Sequence, residues 1–347
     1  MFSWLRKGAS KPPESADRAA DTTAEIVLDF PRRIVRPDRS VVVTVHAHTL
    51  QRMGQAIPCW TYYTEGLMQW GHKEIVFTLK RRPQEAVADF PGMPVTFLQF
   101  IEGVAKQGMT VSAGGCTWIG PKTPLLGFTE ILYVDPLPQN DLPAPAAPHL
   151  RMLLLREIEF TAVKAFGFSR VLSRLGAAYR YYPFPEWEDL DRPALPLERT
   201  LQESLLSRMS GMRDVCSDAY CFIEQDGHIT LRLTGTARKT LSAALAALPA
   251  DTIFTIFTGR DPTATGWLVW EPGDQTPGGI IPPNGGNARM AGNFITFCPN
   301  DEDMATVKED GFVVLISPAS FASLRRAIEE GRQFSLVPVK GNRFSCY

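Results

Sequence analysis

A repeated pattern in the second half of the chain constrains the fold more than any other sequence feature. The segment 226–248 (DGHITLRLTGTARKTLSAALAAL) aligns with 310–331 (DGFVVLISPASFASLRRAIEEG). Each copy begins with Asp-Gly, a pair typical of turns, and continues as a short strand, a polar break and an amphipathic helix. Ser317 is predicted to cap the second helix, with Pro318 in its first turn and Gly331 beyond its end. We expect the two strand–helix units to share one antiparallel sheet. The alternative is a chance likeness between two ordinary segments.

Further strand and helix patterns fill the first half of the chain. β-branched and apolar runs favour strands, whereas an apolar period near 3.6 favours helices. The predicted elements are strands at 40–51, 59–67, 73–81 and 150–160 and helices at 93–108 and 161–176. The sequence therefore predicts an α+β chain in which mainly antiparallel sheets are packed by helices.

Length and proline content set the predicted domain bounds. A chain of 347 residues exceeds one ordinary core and indicates two domains. We expect the proline-rich segment 136–149 to cross the surface of the first domain and 181–196 to separate the domains. The predicted order is a flexible leader at 1–24, an N-terminal α+β domain at 25–190, and a C-terminal α+β domain at 197–340 that contains the repeat.

Charge and cysteine usage exclude several classes of function. The net charge is −1, which does not favour the basic surface of a nucleic-acid-binding protein. The six cysteines are scattered without a repeated C-x-x-C, which argues against a zinc finger and against a disulfide framework. We therefore predict reduced thiols, no metal and no cofactor.

Hydropathy favours a cytoplasmic protein. The sequence has no apolar run of the length of a signal peptide or a membrane span. Phe2, Trp4 and Leu5 beside Arg6 and Lys7 could contact a membrane surface. A frayed leader is the interpretation that we favour for these residues.

Two histidines offer the first candidate for chemistry. His46 and His48 are two residues apart in a predicted strand and so project from the same face. A metal site would need further ligands, for which His72 and Glu65 are candidates. We prefer exposed or core-capping histidines, because nothing in the sequence brings these residues together.

Cys116 and a glycine-rich segment offer two more candidates. Cys116 follows two glycines, whose amides could stabilise an oxyanion while a histidine activates the thiol. A buried cysteine that packs as a small apolar side chain is the preferred interpretation. The glycines at 278–279, 285–286 and 292 do not match a phosphate-binding motif and predict a loop between strands.

The segment RLGAAYRYYPFP, residues 174–185, concentrates aromatic and arginine side chains at the end of a predicted helix. Such side chains are typical of binding hot spots, but buried junctions use them too. We predict a structural junction formed by Gly176 as helix terminator with Tyr179, Arg180, Tyr181 and Phe184. The predicted exposed contacts to a partner are Tyr182, Glu186, Trp187, Glu188 and Asp189.

This segment also carries a resemblance to a known family. VLSRLGAAYRYYPFP (171–185), EIVFTL (74–79), ILYVDP (131–136) and EDGFVVLISPASFASLRRAIEEGRQFSL (309–336) resemble, in similar order, the C-terminal region of the Smad-anchor and endofin family. The FYVE zinc finger of that family is absent, so endosomal targeting and Smad binding are not implied. More weakly, 61–83 resembles the opening strands of Suppressor-of-fused-like domains, whose bacterial members are thought to neutralise toxins.

The resemblances imply a protein-binding domain pair without catalysis. The resulting hypothesis is a cytoplasmic, bacterial protein that binds another protein of unknown identity, as an immunity protein or an adaptor. The alternative is a hydrolase or transferase that uses Cys116 with His46, His48 or His72 as base. The oligomeric state is left open.

Overall fold

The structure is a computed structural model of the chain. It describes residues 30–52, 54–120, 127–137, 142–181, 183–209, the backbone of 212–216, 218–249, 251–259, 261, 263–281 and 289–347. The predicted leader at 1–24 and the candidate contact Tyr182 lie outside these residues.

The first sheet has seven strands, which are β1 (Arg32–Ile34), β2 (Val42–Arg52), β3 (Gln55–Glu65), β4 (Glu74–Lys80), β5 (Cys116–Trp118), β6 (Glu130–Val134) and β7 (His149–Leu155). Their order in the sheet is β1-β2-β3-β4-β7-β6-β5. From β1 to β4 each strand pairs antiparallel with the next, whereas β4 and β7 run parallel. The predicted strands at 40–51, 59–67 and 73–81 correspond to β2, β3 and β4.

The second and third sheets lie in the later part of the chain. The strands that form them are β8 (Met212–Cys216), β9 (Ala219–Ile223), β10 (Ile229–Leu233), β11 (Phe254–Thr258), β12 (Gly266–Val269), β13 (Gly278–Ile280), β14 (Met290–Ala291), β15 (Phe294–Pro299), β16 (Met304–Lys308), β17 (Gly311–Ile316), β18 (Phe334–Leu336), β19 (Lys340–Gly341) and β20 (Phe344–Cys346). The second sheet has the order β13-β12-β14-β9-β10-β20-β18, and the third has the order β19-β16-β17-β15-β11-β8.

Helices accompany the sheets, which gives the α+β class that the sequence predicts. The helices are α1 (Met93–Ala105), α2 (Glu157–Phe166), α3 (Phe168–Tyr179), α4 (Leu197–Glu203), α5 (Leu205–Arg208), α6 (Gly235–Ala246) and α7 (Pro318–Glu330). Among the residues that the structure describes, none of these helices combines the length and hydropathy needed to cross a bilayer.

The chain forms two compact units. Of the described residues, the first unit contains those up to Ser112, Tyr133–Met152 and Trp187–Asp189, and the second contains those within Ala113–Leu132, Leu153–Glu186 and Leu190–Tyr347. Neither unit is continuous in sequence. Compactness does not test independent folding, so the predicted domain bounds stay a prediction.

The repeat is confirmed as local structure and corrected in its sheet partners. The copies form β10 with α6 and β17 with α7, and the two helices pack against each other. They do not share a sheet, because β10 lies between β9 and β20 whereas β17 lies between β16 and β15. Each copy makes an antiparallel hairpin with the strand before it, and strands distant in sequence complete each sheet.

The capping predictions for the second copy are confirmed. The Ser317 side chain accepts a hydrogen bond from the amide of Ser320, and Pro318 occupies the first turn of α7. Gly331 caps the C-terminus of α7 in the left-handed conformation with φ +69°. These residues act as general capping rules predict.

The predicted strand 150–160 and helix 161–176 need correction at their bounds. The strand ends at Leu155 because α2 begins at Glu157, where the Glu159 carboxylate accepts a hydrogen bond from the Arg156 amide at 2.9 Å. The helical segment then breaks at Gly167, which has φ +79° and packs against Phe257. A separate helix, α3, therefore carries the segment that resembles the Smad-anchor family.

Candidate functional site

One face of the second sheet carries a cluster of aromatic and arginine side chains. Successive side chains of a strand point to opposite faces, so the buried Cys221 and Ile223 place Tyr220 and Phe222 on the other face of β9. Arg232 of β10 pairs directly with Tyr220 and shares this face. The hairpin thus aligns two aromatic rings and a guanidinium at the sheet surface.

Two arginines lie against Phe222. The Arg289 guanidinium carbon lies 4.4 Å from the centre of the Phe222 ring, and that of Arg232 lies 5.9 Å from the same ring. Arg232 also lies 5.5 Å from the centre of the Tyr220 ring. The arginine side chains are 35% and 33% exposed, whereas Phe222 beneath them is 4% exposed. We name Tyr220, Phe222, Arg232 and Arg289 the arginine–aromatic face.

Hydrogen bonds fix the two guanidiniums in place. Arg289 donates to Glu224 Oε1 at 2.7 Å and to Thr263 Oγ1 at 2.8 Å. Thr263 Oγ1 donates in turn to Asp261 Oδ1 at 2.7 Å, and Arg232 donates to the same oxygen. Because the acids hold both cations over the rings, little side-chain entropy remains to be lost when a partner binds.

Arginine and aromatic side chains held in this way are typical of protein-binding hot spots. A guanidinium is favoured over the face of an aromatic ring, and its five N–H donors suit hydrogen bonds to carboxylates and carbonyls. The sequence analysis did not identify this site. The alternation in AYCFI was a usable indication, but the approach of Arg289 depends on pairing between β14 and β9, which no local pattern predicts.

A second charged cluster is buried around α3. Arg170 Nη2 lies 2.9 Å from Glu309 Oε2 and 3.0 Å from Asp310 Oδ1, and Arg170 Nη1 donates to Ser204 Oγ at 3.0 Å. Arg174 Nη2 lies 3.9 Å from Asp310 Oδ2. The arginine side chains are 4% and 5% exposed, and Asp310 is fully buried. This cluster is a structural anchor, because solvent and partners do not reach it.

Gly176 was predicted to end a helix, and this prediction is wrong. It lies inside α3, which continues to Tyr179 and is capped by Arg180 with φ +51°. A Cβ at Gly176 would lie 2.7 Å from the Tyr181 carbonyl oxygen and closer still to that of Pro183. Glycine is therefore required here because the chain folds back tightly against the helix.

The remaining predicted junction residues differ in burial. Phe184 is 2% exposed, Tyr179 and Tyr181 are half-buried, and Arg180 is exposed. The Tyr181 hydroxyl donates to Glu186 Oε2 at 3.4 Å. The assignment of these residues to a junction between domains stays a prediction.

The predicted partner contacts at 186–189 are not exposed as expected. Trp187 is 5% exposed, Glu186 is 3% exposed and Glu188 is 2% exposed. Asp189 is held by Lys80, whose Nζ lies 2.7 Å from Asp189 Oδ2. The density of acids suggested a solvated surface, but Glu186 and Glu188 are buried, and backbone pairing holds 187–189.

That pairing joins 187–189 to the end of β4. The Glu188 amide donates to the Thr78 carbonyl at 2.8 Å, and the Lys80 amide donates to the Glu188 carbonyl at 2.8 Å. Glu188 and Leu79 form a parallel bridge. The segment thus acts as a short strand, which a proline-rich and acidic sequence does not predict.

Cys116 is half-buried, not fully buried as the sequence analysis preferred. Burial, with the Glu130 carboxylate as a second cause, raises the pKa of Cys116 to about 11. The thiol is therefore protonated at neutral pH, which does not favour a nucleophile. Burial likewise raises the pKa of Cys59, Cys221 and Cys346 to about 12.

The candidate histidines each have a structural partner. His46 stacks on Tyr63, with ring centres 5.4 Å apart, and burial lowers the pKa of His46. His48 Nε2 lies 2.8 Å from Thr61 Oγ1, and His72 is buried with Nδ1 2.6 Å from the Lys73 carbonyl. These contacts agree with core-capping histidines.

The metal and phosphate candidates gain no support. Across the described ranges, no group of three or more His, Cys, Asp or Glu side chains is placed to hold a metal ion. Gly278 and Gly279 lie in β13, so they form a strand rather than the predicted loop, and 285–286 lie outside the described residues.

Comparison with known proteins supports the sequence resemblances in part. No protein-family model matches the chain. The human protein named zinc finger FYVE domain-containing protein 9, the Smad anchor for receptor activation, is 33% identical over 132 residues. The match covers 37% of this chain and 9% of that protein, so the chain spans about a tenth of its relative's length.

Two solved structures are similar at lower sequence identity. Drosophila Suppressor of Fused has 14% identity and a TM-score of 0.38, with 88% of this chain and 87% of that chain covered. A chain of the Sufu–Fu complex has 17% identity and a TM-score of 0.38, with 49% of this chain and 83% of that chain covered.

Proposed function

We propose that this chain is a non-catalytic protein that binds another protein on the arginine–aromatic face. The observation that carries the proposal is the pair of guanidiniums, on arginine side chains 35% and 33% exposed, that Glu224, Thr263 and Asp261 hold over Phe222. Rigid arginine and aromatic anchors concentrate binding energy in a small area. The identity to a human protein over 132 residues adds support, because the resemblance to that protein's family gave the protein-binding interpretation from sequence.

The finer form of the proposal is a cytoplasmic immunity or adaptor role. In this role the face blocks or holds a partner whose carbonyl and carboxylate groups accept hydrogen bonds from the two guanidiniums. An immunity protein binds a toxin tightly, whereas an adaptor binds a harmless partner. The two forms are separated by what the partner does in a living cell.

The test compares two variants of ion-paired arginines, one that belongs to the arginine–aromatic face and one that does not. Arg289→Ala removes a stacked guanidinium whose partner acid, Glu224, is 40% exposed. Arg343→Ala is the matched control, because Arg343 also pairs with a half-exposed acid, Asp226, at 54% and 53% exposure. We expect Arg289→Ala to weaken partner binding about tenfold or more and Arg343→Ala to change it little.

The measurement starts with quantitative affinity purification from the cells of origin, followed by titration of the purified partner. A protein retained by the wild type and by the control, and lost from Arg289→Ala at unchanged unfolding temperature, supports the proposal. Equal retention by all three proteins would overturn it. If the partner does not arrest growth when expressed without this chain, the immunity form is wrong and the adaptor form remains.

A further inference from the structure

The edge of the first sheet exposes a tryptophan opposite a buried acid. β5 is the edge strand, and Trp118 of β5 pairs directly with Glu130 of β6. Directly opposite residues of an antiparallel pair project their side chains from the same face, with Cβ atoms about 4.5–5.5 Å apart. Trp118 is 68% exposed, whereas Glu130 is 4% exposed, and both belong to the second unit. We name these two residues the Trp118–Glu130 site.

The carboxylate of Glu130 has no partner within the described chain. Its Oε2 atom is buried, and no described residue donates a hydrogen bond to it or forms a salt bridge with it. Lys164 of α2 acts on Glu130 through its charge, but its Nζ atom lies 4.0 Å from the centre of the Phe160 ring. A buried carboxylate without a hydrogen bond or a close counter-charge is costly, so this acid calls for a donor from elsewhere.

The surroundings of Glu130 favour an added positive charge. Burial raises the pKa of the Glu130 carboxyl above its usual range, while Lys164 lowers this pKa and the exposed Glu157 raises it further. A cation placed beside Glu130 would stabilise the ionised form and lower the pKa again. Cys116, on the same face of β5, has a pKa of about 11 and so adds no negative charge at neutral pH.

The Trp118 ring supplies the second part of a cation site. A Cβ built on Gly120 would lie 3.5 Å from two carbons of this ring, which places the ring along the end of its own strand. The face of an indole ring attracts a lysine or arginine cation more strongly than the faces of the other aromatic side chains do. A ring that already rests against the backbone loses little side-chain entropy when a ligand binds.

We propose that the Trp118–Glu130 site binds a lysine or arginine side chain of a partner protein. The cation lies against the indole ring and pairs with the Glu130 carboxylate, so it gives this acid a counter-charge. An apolar side chain would cover Trp118 but bury Glu130 without a hydrogen bond, and an acidic side chain would add a like charge. The site therefore favours the opposite chemistry to the arginine–aromatic face, and its test does not depend on that face.

Titration of the full chain with short peptides tests the proposal. The probes are acetyl-Gly-Arg-Gly-amide, the same peptide with lysine, and the same peptide with citrulline, which has the shape of arginine but no charge. The chain is labelled with nitrogen-15, and the indole N–H signal of Trp118 is identified by its loss in Trp118→Phe. At constant ionic strength we expect this signal to shift about fivefold more steeply with the arginine or lysine peptide than with the citrulline peptide.

Two variants with the same change of charge keep the test decisive. Glu130→Gln retains the shape of the side chain, and we expect the response to the arginine peptide to fall to the citrulline level. Because burial already favours a neutral carboxyl, this variant should unfold at no lower temperature than the wild type. Glu157→Gln removes an exposed acid of α2, and we expect the response to change less than about twofold.

Several outcomes would overturn the proposal. These are equal responses to the arginine and citrulline peptides, an equal effect of the two variants, shifts confined to other indole signals, or no shift of the Trp118 signal. A response to the arginine peptide alone or to the lysine peptide alone would support the proposal and identify which cation the site takes.

Discussion

The two Asp-Gly pairs that open the repeat copies look identical in sequence and lie in opposite environments. Asp226 is 53% exposed and pairs with the exposed Arg343, whereas Asp310 is fully buried beside Arg170 and Arg174. The turns differ as well. Gly227 takes the left-handed conformation with φ +84° in the first copy, but Glu309 takes it with φ +53° in the second.

The difference shows that residues distant in sequence decide whether the aspartate of an Asp-Gly pair is exposed or buried. A left-handed non-glycine residue costs on the order of 1 kcal/mol, so something must hold Glu309 there. Its carboxylate accepts hydrogen bonds from Arg170 at 2.9 Å, from Ser204 at 2.8 Å and from the amide of Leu205. Local sequence sets the turn and the helix, and α3 decides which acid is buried.

The largest expected effect is a loss of stability when the buried Asp310 of the second copy is replaced. Asp310→Asn removes the fully buried carboxylate that pairs with both Arg170 and Arg174, so that Arg170 keeps only Glu309 as its counter-charge. We expect the free energy of unfolding to fall by about 3–5 kcal/mol. Urea denaturation followed by circular dichroism gives the value.

Asp226→Asn is the matched control in the other copy. Its carboxylate is half-exposed, so we expect a change within about 0.5–1 kcal/mol. Similar losses in the two variants would contradict the assignment of different roles to the two acids.

A smaller expected effect is a difference in the pH dependence of stability between the N-terminal caps of α7 and α6. Burial alone would raise the pKa of Asp303, but hydrogen bonds from the Ser317 amide and the Ser320 hydroxyl outweigh it and lower the pKa. A lowered pKa in the folded state adds stability above the ordinary aspartate range, and this stability is lost as pH falls through the folded value. Asp303→Asn should therefore cost about 1–2 kcal/mol at neutral pH and progressively less in acid.

Thr234→Ala provides the comparison in the first copy. The Thr234 hydroxyl accepts from the Ala237 amide at 3.4 Å and carries no charge. We expect a loss of about 0.5–1 kcal/mol that does not change with pH. Unfolding curves at about pH 7 and about pH 3.5 test whether only Asp303→Asn has a pH-dependent cost. A cost that changes equally with pH in both variants would contradict the prediction.

The smallest effect concerns the helix ends. Gly331 caps α7 with φ +69°, and the structure shows no atom near a Cβ placed there. Gly331→Ala should cost about 1 kcal/mol through backbone strain alone. α6 ends instead at Ala246 and is capped by Ala247 in the right-handed region, where Ala247→Gly should cost no more than about 0.5–1 kcal/mol. Thermal melts compare the two, and a stabilised Gly331→Ala protein would disprove the strain argument.

Much of the local structure could be predicted from the sequence. The strands β2, β3 and β4, the helix α1 and the caps of α7 follow from periodicity and capping residues. Sheet membership could not be predicted, because β10 and β17 enter different sheets by pairing with strands that are distant in sequence. The same cause hid the strand-like pairing of Glu188 with Leu79.

Side-chain environment was harder to predict than element type. Aromatic and acidic content suggested an exposed surface around Trp187, yet that residue is buried. The arginine–aromatic face escaped notice because Arg289 reaches Phe222 only through pairing between strands that are distant in sequence.

The two arginines of α3 have an evolutionary consequence. Asp310 and Glu309 are tolerable in the interior because Arg170 and Arg174 arrive from a helix more than a hundred residues earlier. A recombination event that moved only the repeat into another protein would leave two acids without cations. A repeat moved into another protein would therefore keep these acids paired only if α3, or other cations in its place, came with it.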